Sequence, residues 1–330
     1  MADARRAVRE QLQSLDLPKG SLVLVACSGG GDSIALAAAT AFEAPRMGLA
    51  AGAVIVDHQL QAGSAEIAAQ AKQTCEELGL HPVVIEKVTV QVSGNGIEAA
   101  ARDARYQALE KVRISQGAVL VLLGHNLEDQ AETVLLGLAR GSGLSALAGM
   151  DSHDPARAIA RPLLELTRES LRQACVDQGI DYWDDPHNQD PQFLRVRARK
   201  LLDVLEQELG PGIAKSLSRT AKQVTEVEEL LTFQAAELIS AAKLTGSAQS
   251  VSYAIEALAG QPDAVRSKAL HMIANLAGAK AISSVQIDAI DALITNWHGQ
   301  KSVALSGITV ERVKDQLIFT KSKPPTPGAC

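Results

Sequence analysis

The chain has 330 residues, a formal net charge of −6 and 46% hydrophobic residues, of which few are aromatic. That length is too great for one small core and suits two or three domains, and the apolar and charged fractions are those of an ordinary globular protein. The acidic balance excludes a general nucleic-acid coat. No apolar stretch is long enough to span a membrane, no Cys-x-x-Cys pair exists for zinc or redox chemistry, and the start is no secretion leader, so the expected location is cytoplasmic.

The first residues, with Asp3, Arg5, Arg6, Arg9 and Glu10, read as a charged amphipathic helix. Residues 22–26 form an apolar run that reads as a buried strand, and Cys27-Ser28-Gly29-Gly30-Gly31-Asp32-Ser33 follows as a glycine-rich turn opening a helix. Successive backbone N–H groups in such a turn, at a helix N-terminus, make a nest for an anion, and phosphate is the natural ligand. No lysine follows the glycines, so the loop is not a Walker A motif. Asp32 supplies instead a carboxylate able to hold Mg²⁺. The blander alternative is a tight βα turn with an Asp/Ser cap.

Further strands are expected at 53–56, 82–85 and 119–123, with helices at 64–78 and 96–115 between them. That alternation predicts βαβ units: an α/β, doubly wound parallel sheet, Rossmann-like, with ligands outside the carboxyl ends of the strands. Asp57-His58 and His125 fall at that edge beside the glycine turn. In the helix after Glu98, Arg102 and Arg105 are three apart and share a face. Paired arginines suit phosphate, and a salt-bridged face with Glu98 and Asp103 is the competing account. If a helix opens at Glu128, then His125, Asp129 and Glu132 fall close to one face. Capping explains one or two acidic groups there. A carboxylate pair also holds Mg²⁺ or an ammonium group. Arg140-Gly141-Ser142-Gly143 then reads as a flexible loop carrying a cation.

The pattern changes after Met150. Residues 151–161 read as loop or short strands, 166–178 as helix, and 182–193 as a polar, turn-rich stretch. Residues 195–242 read as amphipathic helix, a long connector. Arg195, Arg197, Arg199 and Lys200 are four cations within six residues, flanked by Trp183 and Phe193 for base stacking. A basic helix start is the alternative. Helices at 254–259 and 264–277 precede short strands at 302–305, 308–313 and 316–320, and 321–330 reads as a disordered Pro-rich tail. From Gly260 onward eight Lys/Arg face five Asp/Glu, a basic end that suits phosphate contact or a solvated face. The expected domains are therefore a catalytic domain at 1–210, a smaller, mainly helical accessory domain ending in a β meander at 211–320, and the tail at 321–330. Cys27 and Cys175 read as buried thiols.

The run Ser28 to Ser33 resembles the signature of the N-type ATP pyrophosphatases, the PP-loop family, which cleave ATP between the α and β phosphates and adenylate an oxygen of the substrate. A narrower resemblance covers about residues 21–219. It rests on Val56-Asp57-His58, Ala99 through Tyr106, His125 through Thr133, Leu138 through Leu144, Arg161-Pro162-Leu163-Leu164, and Asp185-Pro186-His187-Asn188-Gln189-Asp190 leading into Phe193-Leu194-Arg195. Together these are similar to the bacterial tRNA(Ile)-lysidine synthetases. The resemblance implies a ligase that uses ATP and Mg²⁺ to adenylate the wobble cytidine of the minor isoleucine tRNA, anticodon CAU. Free L-lysine then attacks C2, giving lysidine, AMP and pyrophosphate. It implies that Ser28, Gly29, Gly30, Gly31, Asp32 and Ser33 bind ATP, with Asp57 and His58 against the nucleotide and Asp32 near Mg²⁺. It places Asp129 and Glu132 on lysine, and makes Asp32, His125, Asp129 and Glu132 the catalytic set. Arg102, Arg105, Arg140, Arg195, Arg197 and Arg199 become the tRNA contacts. It calls for no membrane and allows a homodimer.

The chain departs from the family at Glu128, where aspartate is common, at Gln61, where arginine is frequent, and at Val196, where asparagine is frequent. It is also shorter than the long members. A tRNA 2-thiolation enzyme of the same superfamily would need Cys-x-x-Cys pairs. A small-molecule PP-loop ligase would usually bring a glutaminase domain and leave the Arg195–Lys200 patch without purpose. A non-catalytic nucleotide sensor would make Asp129 and Glu132 dispensable, and would release no pyrophosphate from ATP.

Overall fold

The computed structural model describes residues 1–59, 63–89, 97–141, 143–184, 192 and 194–322. Gln61, Ser142, the run 185–190, Phe193 and most of the tail lie outside the described residues. The chain divides into two compact units, Met1–Thr225 and Glu226–Cys330.

The first unit runs α1 (Ala2–Ser14), β1 (Leu22–Ala26), α2 (Gly31–Glu43), β2 (Ala50–Asp57), α3 (Ser64–Glu77), β3 (Val83–Lys87), α4 (Ile97–Ser115), β4 (Leu120–Leu123), α5 (Leu127–Arg140), α6 (Gly143–Leu147), β5 (His153–Asp154), β6 (Ile159–Ala160), α7 (Arg168–Asp177) and α8 (Leu194–Glu208). Its sheet has the order β3-β2-β1-β4-β6-β5, parallel except for the edge strand β5. Strand residues alternate between two cores. Val23, Val25, Ala53, Ile55, Leu120 and Leu122 pack with α1, α2, α3 and α7. Leu24, Ala26, Val54, Val121 and Leu123 pack with Leu109 and Val112 of α4. Apolar residues on both faces are what a parallel sheet covered by helices requires. The chain winds outward from β1 through β2 to β3, then returns to β4 on the other side of β1. The carboxyl ends of β1 and β4 therefore flank the topological switch point, where such sheets open a ligand crevice.

The continuous helix expected over 195–242 is two helices. α8 stops at Glu208 and α9 (Ile213–Ala242) starts afresh. Gly210 and Gly212 hold φ of +97° and +102° on either side of Pro211, and the Glu206 carboxylate accepts the N–H groups of Gly212 and Ala214 at 2.5 and 2.8 Å. Proline and two left-handed glycines cannot continue a helix.

The second unit contains the later part of α9, then β7 (Lys243–Gly246), β8 (Ser250–Ala254), α10 (Ile255–Ala259), α11 (Asp263–Ala277), α12 (Ser284–Thr295), β9 (Val303–Leu305), β10 (Ile308–Val313) and β11 (Gln316–Lys321). The expected meander is there, extended by β8 and β7 into a five-stranded antiparallel sheet of order β7-β8-β11-β10-β9. The sequence reading also lacked α12, although Ser283 and Gln286 form a reciprocal capping box at its start. Leu270, Ile273, Ile290 and Leu293 pack against Ile308, Val310, Leu317 and Phe319, and Tyr253 meets Phe319 edge to face at 5.9 Å. No helix of the described residues is long and apolar enough to cross a membrane.

Candidate active site

The glycine turn joins β1 to α2. Gly29 takes φ +84°, a conformation that favours glycine. Gly30 is the N-cap of α2 and no side chain caps the helix, so its first turn presents backbone N–H groups. The turn is tied from within. The Ser33 hydroxyl donates to the Gly30 carbonyl at 2.8 Å, accepts the Ser28 N–H at 3.1 Å and meets the Ser28 hydroxyl at 3.2 Å. From outside, the Trp183 N–H donates to the Gly29 carbonyl at 2.9 Å. Three buried thiols back the turn. Cys27 lies against Cys75 and the Ser33 hydroxyl, and Cys175 donates to the Gly31 carbonyl at 3.5 Å.

The loop after β4 presses onto the same turn. A Cβ on Gly124 would stand 3.2 Å from the Asp32 carbonyl and from Ser33 Cα, so only glycine lets the two backbones approach this closely. Two residues on, Asn126 caps α5, accepting the Asp129 N–H at 2.9 Å while its own N–H donates to Asp129 Oδ2 at 3.1 Å. Capping therefore accounts for one oxygen of Asp129. The Asn126 amide also donates to Asp32 Oδ2 at 2.9 Å, joining the two loops.

Arg168, the first residue of α7, completes the cluster. Its guanidinium lies 3.6 Å from Asp32, 3.2 Å from Asp129 and 3.9 Å from Glu132. Glu132 is fully buried, and its Oε1 accepts from Arg199 Nε at 2.7 Å. Among the described residues, buried Asp32 Oδ1 and Glu132 Oε2 have no hydrogen-bond partner. Burial, reinforced by Asp129, pushes the Asp32 carboxyl up to about 6 against the pull of Arg168. Burial also raises Glu132, against Arg199. Burial opposes the charge of Arg168, but Asp129, Asp32 and Glu132 outweigh it and raise its pKa.

Beside this cluster lies a cavity of about 260 Å³ lined by His58, Arg102, Arg105, Tyr106, His125 and Arg195. Burial, then the arginines led by Arg105, hold His125 well below its ordinary pKa, and burial with Arg105 lowers His58. Nδ1 of each imidazole is buried and has no partner among the described residues. Tyr106 lies 5.2 Å under the Arg102 guanidinium and 5.4 Å under that of Arg157. Buried Arg161 anchors the wall by donating to the Asp151 carbonyl at 2.7 Å. The pocket is thus a strongly cationic hollow with two neutral imidazoles, suited to phosphate and a polar base.

The fold brings together Ser28, the three glycines, Asp32, Ser33, Asp129, Glu132 and Arg199 on one side, and His58, Arg102, Arg105, His125 and Arg195 on the other. Asp57 spends one carboxylate oxygen on the Gln59 N–H at 3.0 Å, shaping the turn after β2. Arg140 stands exposed at the far end of α5 from Asp129, and Arg197 is exposed on α8. Asn126, Arg161 and Arg168 were missed as site residues. The Asn-x-x-Asp spacing before an apolar helix marks Asn126. No local pattern marks Arg168, which enters the site through tertiary packing alone.

Comparison with known proteins follows the same division. Residues 3–205 match the family model of the PP-loop domain, and residues 254–318 match that of the TilS substrate binding domain. The chain is 48% identical over 306 residues to a tRNA(Ile)-lysidine synthase of Leifsonia xyli subsp. xyli, covering 92% of this chain and 91% of that one. It is 46% identical to that of Thermobifida fusca, covering 98% of both. Among solved structures, the U34-tRNA thiolase NcsA from Methanococcus maripaludis superposes with a TM-score of 0.57 at 21% identity, over 68% of this chain and 79% of that one. At that identity the likeness concerns the fold.

Proposed function

The chain belongs to the tRNA(Ile)-lysidine synthase family, and we propose that it uses ATP to join free L-lysine to C2 of the wobble cytidine of the isoleucine tRNA with a CAU anticodon. It is an ATP-using ligase of tRNA. Residues 1–210 are the catalytic domain and 211–320 the accessory tRNA-binding domain in this proposal. The tRNA substrate makes the cytoplasm its place of work.

The N-terminus of α2, with Ser28, Gly29, Gly30, Gly31 and Ser33, takes the ATP phosphates, and Asp57 and His58 border the nucleotide. The cytidine O2 attacks the α-phosphorus, the α–β bridge breaks, and pyrophosphate leaves against the N–H nest. The cytidine must leave its stack to reach this point, and the hollow of Arg102, Arg105, His125 and Arg195 is shaped to receive it. Arg140, Arg197 and Arg199 complete the proposed tRNA contacts. Lysine binds through its ε-ammonium to Asp129 and Glu132. After losing a proton, Nζ attacks C2, the C2–O2 bond breaks and AMP departs. Glu132, whose carboxyl burial raises, is a better proton acceptor than His125, which burial and the arginines hold neutral.

Asp32 Oδ1, buried with no hydrogen-bond partner among the described residues, fits a bound cation. Among the described residues no three His, Cys, Asp or Glu side chains form a metal cage, which suits Mg²⁺ held chiefly by phosphate oxygens and one or two carboxylates. Asp32 would hold it, and it would supply charge neutralisation for the departing pyrophosphate.

The observation that carries this reading is the Asn126–Asp32 hydrogen bond at 2.9 Å, with Arg168 spanning Asp32, Asp129 and Glu132. It ties the glycine turn to the carboxylates of α5, which supports reading them as one pocket for ATP and lysine. The test is mass spectrometry of the anticodon nucleoside after incubation with ATP, Mg²⁺, lysine and the tRNA, alongside pyrophosphate release. Asp32→Ala is expected to lose both signals. Asp129→Asn and Glu132→Gln are expected to keep tRNA-dependent pyrophosphate release and lose lysine. Lysine incorporation by Asp32→Ala at the wild-type level overturns the assignment.

A further inference from the structure

Two arginines enter the carboxylate cluster, and they are held differently. Arg199 grips Glu132 Oε1 at 2.7 Å. Arg168 makes one hydrogen bond there, to Asp129 Oδ1 at 3.2 Å, and stands 3.6 and 3.9 Å from Asp32 and Glu132, beyond hydrogen-bond length. A cation able to donate five hydrogen bonds thus sits among three carboxylates, while Asp32 Oδ1 and Glu132 Oε2 have no partner among the described residues. The planar fork of a guanidinium matches one carboxylate well and three divergent ones poorly. A compact ammonium with three rotatable donors suits the divergent set.

The Arg168 side chain is also free to leave without its backbone. Its N–H is fixed separately by Glu128 Oε2 at 2.9 Å, and Thr167 caps α7. The departure has somewhere to go. Arg168 lines a second cavity of about 510 Å³ whose walls carry Glu169 and Asp203 as well as Arg172 and Arg199. Glu169 and Asp203 can receive a displaced guanidinium.

We propose that Arg168 is a stand-in cation. It neutralises the cluster while no amino acid is bound, and the ε-ammonium of the incoming amino acid displaces it into the adjoining cavity. Arg168 is then a positioning residue that sets the threshold for amino-acid entry and keeps other small cations off Asp129 and Glu132. The inference rests on the reading that those two carboxylates hold the ε-ammonium.

The experiment is calorimetric titration of L-lysine into the full chain, with Mg²⁺ and an ATP analogue that cannot be cut between the α and β phosphates. Removing a competing partly buried cation should tighten binding, so Arg168→Gln is expected to lower the Kd for lysine about tenfold. Arg168→Lys, which keeps a cation in place, is expected to stay near the wild-type Kd. A readout on the unaltered protein covers the case in which Arg168→Gln does not fold. Phenylglyoxal modification of Arg168, followed by peptide mass spectrometry, is expected to speed up several-fold when lysine is added. An unchanged or weaker Kd in Arg168→Gln, or protection of Arg168 by lysine, overturns the proposal. Asp129→Asn and Glu132→Gln separate the two levels. Normal lysine binding in both sinks the underlying reading, whereas loss there without tightening in Arg168→Gln sinks the stand-in alone.

Discussion

Substituting Gly30 by alanine separates folding from phosphate binding. Gly30 has φ −74° and ψ 156°, which alanine adopts freely. Among the described residues a methyl there would meet only Ser28 Oγ at 3.6 Å and the Trp183 carbonyl at 3.8 Å, both ordinary contacts. Alanine is a poorer N-cap than glycine, at a cost of about 0.5–1 kcal/mol, while the stiffer unfolded chain returns about 0.4–1 kcal/mol. The two nearly cancel, so Tm should move by no more than about 2–4 °C. Ligand binding should change far more. The methyl sits at the mouth of an uncapped helix N-terminus, where a phosphate oxygen needs close approach to backbone N–H groups. Losing one charge-assisted hydrogen bond costs about 1.5–3 kcal/mol, a factor of about 10–150 in ATP affinity. Calorimetric titration with the same ATP analogue, beside a thermal melt, reads both quantities. A normal melt with unchanged ATP affinity would refute the idea that the glycine is there to admit phosphate.

Gly124→Ala should act the opposite way: its Cβ meets backbone at 3.2 Å, so overpacking should cost about 1–3 kcal/mol in a denaturant melt and weaken ATP binding with it. The raised Asp32 carboxyl favours the protonated folded state, so its cost to stability is absent below its ordinary value near 3.8, grows as pH rises towards about 6 and is complete above. That cost is at most about 3 kcal/mol, and Asp32→Asn should flatten the pH 4–6 part of the stability curve relative to wild type. Arg195→Ala and Arg102→Ala should each weaken tRNA binding and reduce the slope of log K against log salt by about 0.7–0.9 if each contacts one phosphate. In the second unit, buried Arg266 grips Asp291 through two nitrogens at 2.5 and 3.3 Å and Asp263 at 2.7 Å. Arg266→Met should cost that unit about 1–3 kcal/mol, visible by hydrogen exchange, because it leaves the half-buried Asp291 carboxylate without its main partner.

What the sequence disclosed depended on the range of the forces involved. The glycine turn, the strands around it and the arginine pair on α4 are local patterns, and each lies where the periodicity put it. The convergence of Asp32 with Asp129 and Glu132 followed from strand order, because β1 and β4 are neighbours at the switch point. The start of α5 was read one residue late, and with it the cap that ties Asn126 to Asp32. Arg168 was invisible, since an arginine opening a helix carries no local sign that it will meet carboxylates from two other elements. The break at Gly210-Pro211-Gly212 was legible in the residues and was overridden by the amphipathic pattern on either side. β7 was hidden for another reason: Lys243 to Gly246 are all exposed and offer no alternation to read.

The thiols behind the glycine turn make the protein its own clock. Cys27, Cys75 and Cys175 are all buried, and two of them touch the glycine turn itself, Cys27 at the Ser33 hydroxyl and Cys175 at the Gly31 carbonyl. An alkylating reagent can reach them only during an opening, so the labelling rate counts openings directly, much as amide exchange does. A bound nucleotide that steadies the segment should lengthen the interval between them, without any probe having to be engineered into the chain.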